Sequence, residues 1–356
     1  MGPASQPDTT SSLKANTEQI RQQRRDNLSQ WIGSVLNTNA PELTVVSGDA
    51  SFRRYFRFKH QGATYIAVDA PPDKENNLAF WQIGSLLASQ KIKVPEFKHI
   101  DLEHGFIILS DLGDQLLLPR LTESNVDSFY RKAIDIIIQL QIIPVEKIAD
   151  LPAYDEQKLA FELSLFETWF VNKHLGIQLT DSQQTIIDKL CKQLIERATK
   201  QNQRLTHRDF HSRNLMLTQS DELAVIDFQD AVIGPVSYDL VSLLKDCYIS
   251  WPRNKVIHWL ESYYQIASQQ TVACKPLMES SFDAFTQDFD WMGLQRHLKV
   301  LGIFCRLNYR DNKPQYLKDL RLTYDYVKQV TSHYQELKDF DELLEQLIGP
   351  AFETSQ

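Results

Sequence analysis

LTHRDFHSRNLMLTQSDELAVIDFQD, residues 205–230, sets His207, Asp209, Asn214 and Asp227 among short apolar runs. The runs NLMLT and LAVIDF are rich in Leu, Val and Ile and read as the two strands of a hairpin. A polar surface loop is the plain alternative, but such a loop does not require strand-like apolar segments on both sides. Around this stretch the hydrophobic period is helical, at 121–143, 156–174, 181–200, 237–248, 253–269, 287–310 and, with breaks, 315–347.

The chain before residue 115 has a different character. Residues 15–37 place Ile20, Leu28, Trp31, Ile32, Val35 and Leu36 on one helical stripe. Then LTVVSG, FRRYFRF, TYIAVDA, KVPEFKHID and GFIILSDLG read as strands, with HQG as a turn and PPDKENNLAFWQIGSLLASQ as a loop and helix. This order predicts an α+β, two-lobed fold: a disordered tail over 1–12, a small antiparallel β-sheet N-lobe over 13–114, and a mainly helical C-lobe over 115–350.

Composition narrows the function class. With 356 residues and a formal net charge of −8, the chain lacks the clustered positive charge on which nucleic-acid affinity rests. No apolar run reaches the roughly 18 residues a membrane span needs, and MGPASQPDTTSS has no apolar signal core. Cys191, Cys247, Cys274 and Cys305 show no metal-ligand spacing and read as free thiols of a reducing compartment. The expectation is a cytoplasmic protein acting on a small molecule, with no nucleic acid, membrane or obligate protein partner.

The spacing His207-x-Asp209-x-x-x-x-Asn214, followed by a strand ending in Asp227, meets the needs of phosphoryl transfer. Asp209 can orient or deprotonate an acceptor hydroxyl. Asn214 and Asp227 supply oxygen ligands of the kind hard Mg²⁺ prefers, its other ligands being phosphates and water. His207 reads as a packing and hydrogen-bonding residue of the loop rather than a titrating one.

The same segment resembles the aminoglycoside phosphotransferase and choline kinase branch of the protein-kinase-like fold. GPVSYDLVSLL after Asp227 is similar to that branch and leaves no room for a protein-kinase activation segment. Asp239 would then be a structural carboxylate buttressing the catalytic loop, a role compatible with that of a helix N-terminal acid. SGDASFRRYFRF, YIAVDAPP, ENNLAFWQIGSLL, GFIILSDLG, HRDFHSRNLM, VIDFQDAVIGPVSYDLVSLLKDCYISWPR and WMGLQRHLKVLGIFCRL together resemble, over roughly residues 40–325, the bacterial anomeric sugar kinases of cell-wall recycling. That resemblance implies ATP and Mg²⁺ as cofactors, and N-acetylmuramate and N-acetylglucosamine as acceptors phosphorylated at the anomeric hydroxyl.

The pattern departs from a kinase-like N-lobe in two places. Ser47–Tyr55 holds a single glycine; it is either a phosphate-covering loop, aided by the Ser51 hydroxyl, or a plain hairpin turn. YIAVDAPP carries Val68 and Asp69 where a strand lysine is expected, so Arg53 or Arg54 is a candidate replacement. Ser110 to Leu112 read as a connector whose backbone would meet an adenine edge, or as an ordinary strand end. For the acceptor site the candidates are Arg213, Asp230, Trp251 and His297, with Arg253, Gln295 and Arg296 nearby, and an arginine would suit a lactyl carboxylate. Trp251 and the stripe Leu294, Leu298, Leu301, Phe304 also read as core. Two further readings stand beside this one: a kinase for another small hydroxyl compound, such as an aminoglycoside or amino alcohol, and a non-catalytic nucleotide-binding regulator.

Overall fold

The computed structural model describes residues 9–47 and 52–355. The chain divides between Asp114 and Gln115 into two compact units, each built around its own apolar core.

In the N-terminal unit, α1 (Thr9–Val35) precedes β1 (Thr44–Ser47), β2 (Arg54–His60), β3 (Ala63–Asp69), α2 (Asn77–Ser89), β4 (Phe97–Asp101) and β5 (Phe106–Ser110). The strands form one antiparallel sheet in the order β1-β2-β3-β5-β4. Gln61 and Gly62, both at positive φ, close the β2–β3 hairpin, as the right-handed twist of the flanking strands favours. Alternation along β2 turns Phe56 and Phe58 inward, where they meet Leu28 and Ile32 of α1 together with Ala67, Phe106 and Ile108. Ile20, assigned to the same helical stripe, is instead exposed, because burial along α1 begins only at Leu28. The FRRYFRF strand starts at Arg54 rather than Phe52.

The C-terminal unit carries α3 (Val126–Gln141), α4 (Val145–Ile148), α5 (Glu156–Leu165), a π-helical stretch (Phe166–His174), α6 (Asp181–Lys200), α7 (Tyr238–Leu244), α8 (Arg253–Ala267), α9 (Phe282–Tyr309) and α10 (Leu320–Thr331). Helix α6 starts at a capping box: Thr180 and Gln183 each accept the other's backbone N–H. The expected hairpin is present as β7 (Leu215–Leu217) and β8 (Leu223–Val225). A second pair, β6 (Gln203–Thr206) with β9 (Val232–Pro235), was not expected. Four-residue strands that pair across the hairpin leave too short an alternation to register in the sequence. Together these ladders frame the segment between β6 and β9.

Helix α9 is the axis of this unit. Leu294, Leu298, Leu301 and Phe304 all lie in its main core, against α5, α6 and α10. Burial is nearly continuous along α9 and includes charged residues. Gly302 sits where a Cβ would come within 2.3 Å of the Leu165 carbonyl group. The four cysteines are free, and among the described residues no helix is long and apolar enough to cross a membrane.

Gly302→Ala should therefore overpack the α9–α5 contact and destabilise the protein by about 1–3 kcal/mol, measured by chemical denaturation. A stability within error of the parent would show that this contact gives way.

Candidate active site

The loop from His207 to Asn214 is folded by its own backbone and held from outside. His211 N–H donates to Asp209 C=O at 2.9 Å, and Asn214 N–H to His211 C=O at 2.9 Å. Arg208 lies at φ 74° and Asp227 at φ 64°, in the left-handed region that disfavours residues with a Cβ. Such conformations persist only where the surroundings over-determine them.

Here the surroundings are specific. Asp239, buried at the start of α7, accepts the backbone N–H groups of His207 at 2.7 Å and Arg208 at 3.0 Å. Burial pushes its carboxyl up to about 6. Ser242 donates to the Arg208 carbonyl at 3.3 Å. Asp246 accepts both the N–H of Ser212 at 3.2 Å and its hydroxyl at 2.5 Å. His207 directs Nε2 at the Ile226 carbonyl, 3.0 Å away, and so ties the loop to the end of β8.

Asp209 is half-buried. Among the described residues its carboxylate makes no hydrogen bond and no ion pair. Burial alone would raise its pKa, but Lys299, His211, Arg296 and Arg208 outweigh that and hold it below the usual carboxylate range. The result is a carboxylate held in its anionic form.

Asn214 and Asp227 meet. The Asn214 Nδ2 donates to the Asp209 carbonyl at 3.0 Å and to Asp227 Oδ2 at 3.2 Å, and its amide oxygen accepts no hydrogen bond among the described residues. Asp227 Oδ1 accepts from Gln229 at 2.8 Å. Among the described residues no cluster of three or more His, Cys, Asp and Glu side chains forms a metal cage. A carboxylate beside an amide oxygen instead fits a hard cation that completes its shell with phosphate and water.

The other candidates fare unevenly. Ser51 lies outside the described residues. Arg54, a candidate for the missing strand lysine's place, has its guanidinium on the fully buried Asp69, which Arg24 also binds at 2.8 Å. A buried acid must be paired, so the two arginines are committed to it. Arg53 is buried, with its guanidinium 4.5 Å from the Phe80 ring centroid and 3.3 Å from Glu75.

Ser110 donates its N–H to the Glu96 carbonyl, and its hydroxyl oxygen accepts the Glu96 N–H, both at 2.9 Å. Leu112 lies in a segment clasped by Arg57, which the sequence did not flag. Arg57 binds Asp111 at 2.6 and 2.9 Å, Asp114 at 3.0 Å and the Gly113 carbonyl at 3.3 Å. The N–H and C=O of Leu112 make no hydrogen bond among the described residues.

His297 is removed from the acceptor site. It is fully buried, directs Nε2 at the Lys245 carbonyl (2.9 Å) and stacks on Tyr326. Arg253 is bound to Asp290 through two 2.6 Å contacts, and Gln295 is buried with its amide on Tyr154. Trp251 belongs to an aromatic cluster: its indole N–H donates to Tyr130 at 3.1 Å and its ring packs edge-on to Tyr130 and Trp259. Asp230 is exposed. Arg213 lies flat over Tyr248, 3.5 Å from the ring centroid, and its N–H groups meet no acceptor among the described residues. Arg296 is buried, and among the described residues its guanidinium reaches only the Cys247 sulfur, at 3.4 Å.

Comparison with known proteins adds to this geometry. A model of the phosphotransferase enzyme family matches residues 42–277. The N-acetylmuramate/N-acetylglucosamine kinase of Pseudomonas putida is 41% identical, over 92% of this chain and 98% of that protein. The kinase of the same name from Pseudomonas aeruginosa is 40% identical, over 86% of this chain and 88% of that protein. Among solved structures, an ADP-bound aminoglycoside phosphotransferase matches with a TM-score of 0.56 at 17% identity, covering 83% of this chain and 96% of that one. A choline kinase from Streptococcus pneumoniae matches with a TM-score of 0.57 at 13% identity, covering 88% and 99%. At such identities the structural likeness shows the fold alone, which is the α+β protein-kinase-like fold.

Asp239 generates a pH prediction. Its folded pKa, near 6, lies above the ordinary value of about 3.9, so its contribution to stability is fully present below that ordinary value and is lost as pH rises through 6. Asn in its place has no such slope and offers one acceptor where two N–H groups need one each. The stability difference between the parent and Asp239→Asn should shrink as pH is raised from 4 to 7 in denaturation experiments. A constant difference would show that Asp239 does not titrate in this window.

Proposed function

The chain belongs to the phosphotransferase enzyme family, and within it we propose an ATP-dependent kinase that phosphorylates the anomeric hydroxyl of N-acetylmuramate and N-acetylglucosamine. One observation carries the reading: an unpaired, anionic Asp209 beside an Asn214–Asp227 oxygen pair, in a chain about two-fifths identical to kinases of that name.

Asp209 accepts or orients the proton of the acceptor hydroxyl as the γ-phosphoryl group transfers in line. An anomeric hydroxyl is more acidic than an ordinary alcohol, so a carboxylate held in its anionic form is a strong enough base. Asn214 and Asp227 would hold Mg²⁺, which supplies neutralisation of the phosphate charge when bound. The Leu112 backbone, presented by the Arg57 clasp, offers a donor and an acceptor to an adenine edge. Arg213, flat on Tyr248 with its donors open, suits the lactyl carboxylate that distinguishes N-acetylmuramate from N-acetylglucosamine. Because Arg213 belongs to the catalytic loop itself, a sugar bound to it would lie within reach of Asp209.

The test is incubation with Mg-ATP and a panel of amino sugars, plain sugars, aminoglycosides and amino alcohols, the phosphorylated carbon being assigned by NMR. The two N-acetyl sugars should yield 1-phosphates; phosphate on any other carbon, or turnover confined to another substrate class, overturns the proposal. Asp209→Asn should lose on the order of 10²–10⁴ in kcat while binding nucleotide normally. Arg213→Ala should raise KM for N-acetylmuramate more than for N-acetylglucosamine, and an equal effect on both would remove Arg213 from carboxylate recognition.

A further inference from the structure

Behind the base lies a partly buried charge cluster that phosphoryl transfer does not itself require. Glu162 of α5 is buried, yet Lys299 and Arg208 keep its carboxyl ionised against the effect of burial. Its Oε1 accepts from Arg208 at 2.6 Å and lies 3.0 Å from Lys299 Nζ. Its Oε2 accepts the Tyr154 hydroxyl. Lys299 also donates to the Tyr238 hydroxyl at 3.0 Å, and Gln295 donates to Tyr154 at 3.3 Å. Glu162, Arg208, Lys299 and Asp209 contribute two charges of each sign. The pairing is unequal: Glu162 holds both cations, and Asp209 holds neither.

That inequality bears on catalysis. In a medium of low dielectric, a buried cation without a partner carries a desolvation penalty of several kcal/mol and turns to the nearest anion. For Arg208 and Lys299, once Glu162 is gone, that anion is Asp209. A base closed into an ion pair has its oxygens occupied and cannot take up an acceptor hydroxyl. Arg208 also keeps a left-handed backbone, and its side chain reaches Glu162 from that conformation.

We infer that Glu162 is a positioning residue for phosphoryl transfer: by engaging Arg208 and Lys299 it leaves the neighbouring carboxylate of Asp209 open to the acceptor hydroxyl. The inference rests on the reading of Asp209 as the base. It assigns a catalytic consequence to a residue some forty-five positions from the loop, one that touches no reacting group.

The experiment compares kcat and KM for ATP in the full-length parent, Glu162→Gln, Arg208→Gly, the Glu162→Gln/Arg208→Gly double variant and Asp209→Asn. Glutamine keeps the shape but not the charge, so Glu162→Gln should lose about tenfold or more in kcat with KM for ATP unchanged. Glycine suits φ 74° and removes one of the two freed cations, leaving Lys299 alone, so the double variant should recover part of the turnover lost in Glu162→Gln. A purely structural role predicts the reverse, with the two losses adding. Unchanged kcat in Glu162→Gln, or a double variant at or below it, overturns the inference. Should Glu162→Gln not fold, the double variant, which removes the anion and one of its two cations, takes its place and is compared with Arg208→Gly: turnover below Arg208→Gly yet at least about tenfold above Asp209→Asn supports the inference, and any other result overturns it. Retained turnover in Asp209→Asn overturns the base assignment itself, an outcome distinct from additivity in the Glu162 series.

Discussion

Two main-chain amides, those of His207 and Arg208, end on one buried carboxylate, Asp239. The loop's shape depends on that junction. With both N–H groups satisfied inside the protein, the chain can enter a left-handed turn at Arg208 and deliver Asp209 without leaving buried donors unpaired. The same clasp anchors the loop to α7, and Ser242 within that helix and Asp246 just past its end supply further anchors. One short helix and the residues just after it thus position the loop at three points along its length.

Electrostatics then decides what the loop can do. Asp209 sits among Lys299, Arg296, Arg208 and His211, which favour its charged form, and yet it pairs with none of them. This condition requires another acid to absorb the cations, and Glu162 fills that role. Long charged side chains on α9, an otherwise core-facing helix, are tolerated because each ends on a partner: Lys299 on Glu162 and Tyr238, and Arg296 on the Cys247 sulfur. Burying these groups unpaired would cost more than the helix gains by packing.

The N-terminal unit shows an exchange of charge. Where a strand lysine is expected, β3 ends in Asp69, and Arg24 and Arg54 converge on it from α1 and β2. The positive charge is present but turned inward to secure the sheet against the helix. Arg57 plays a comparable part at the end of the unit, where it fixes residues 111–114 through two carboxylates and a carbonyl. Arg53, Arg54 and Ser110, all plausible nucleotide ligands by position, are thereby given structural partners.

The sequence by itself determined the order of elements, the β7–β8 hairpin and the line of Asp209, Asn214 and Asp227. All of these are local: a strand alternates over a few residues, and a loop sets its own spacing between base and ligands. Tertiary structure alone decided the partners. Nothing along the chain joins Glu162 to Arg208 and Lys299, or Asp69 to Arg24, and the β6–β9 ladder likewise closes over a gap that no periodicity spans. His297 and Trp251 looked like ligands because their chemistry is versatile, and folding gave His297 a buried carbonyl and Trp251 an aromatic cluster as partners. A side chain's type limits what it can bind, but its neighbours after folding decide whether its polar atoms are still free to do so.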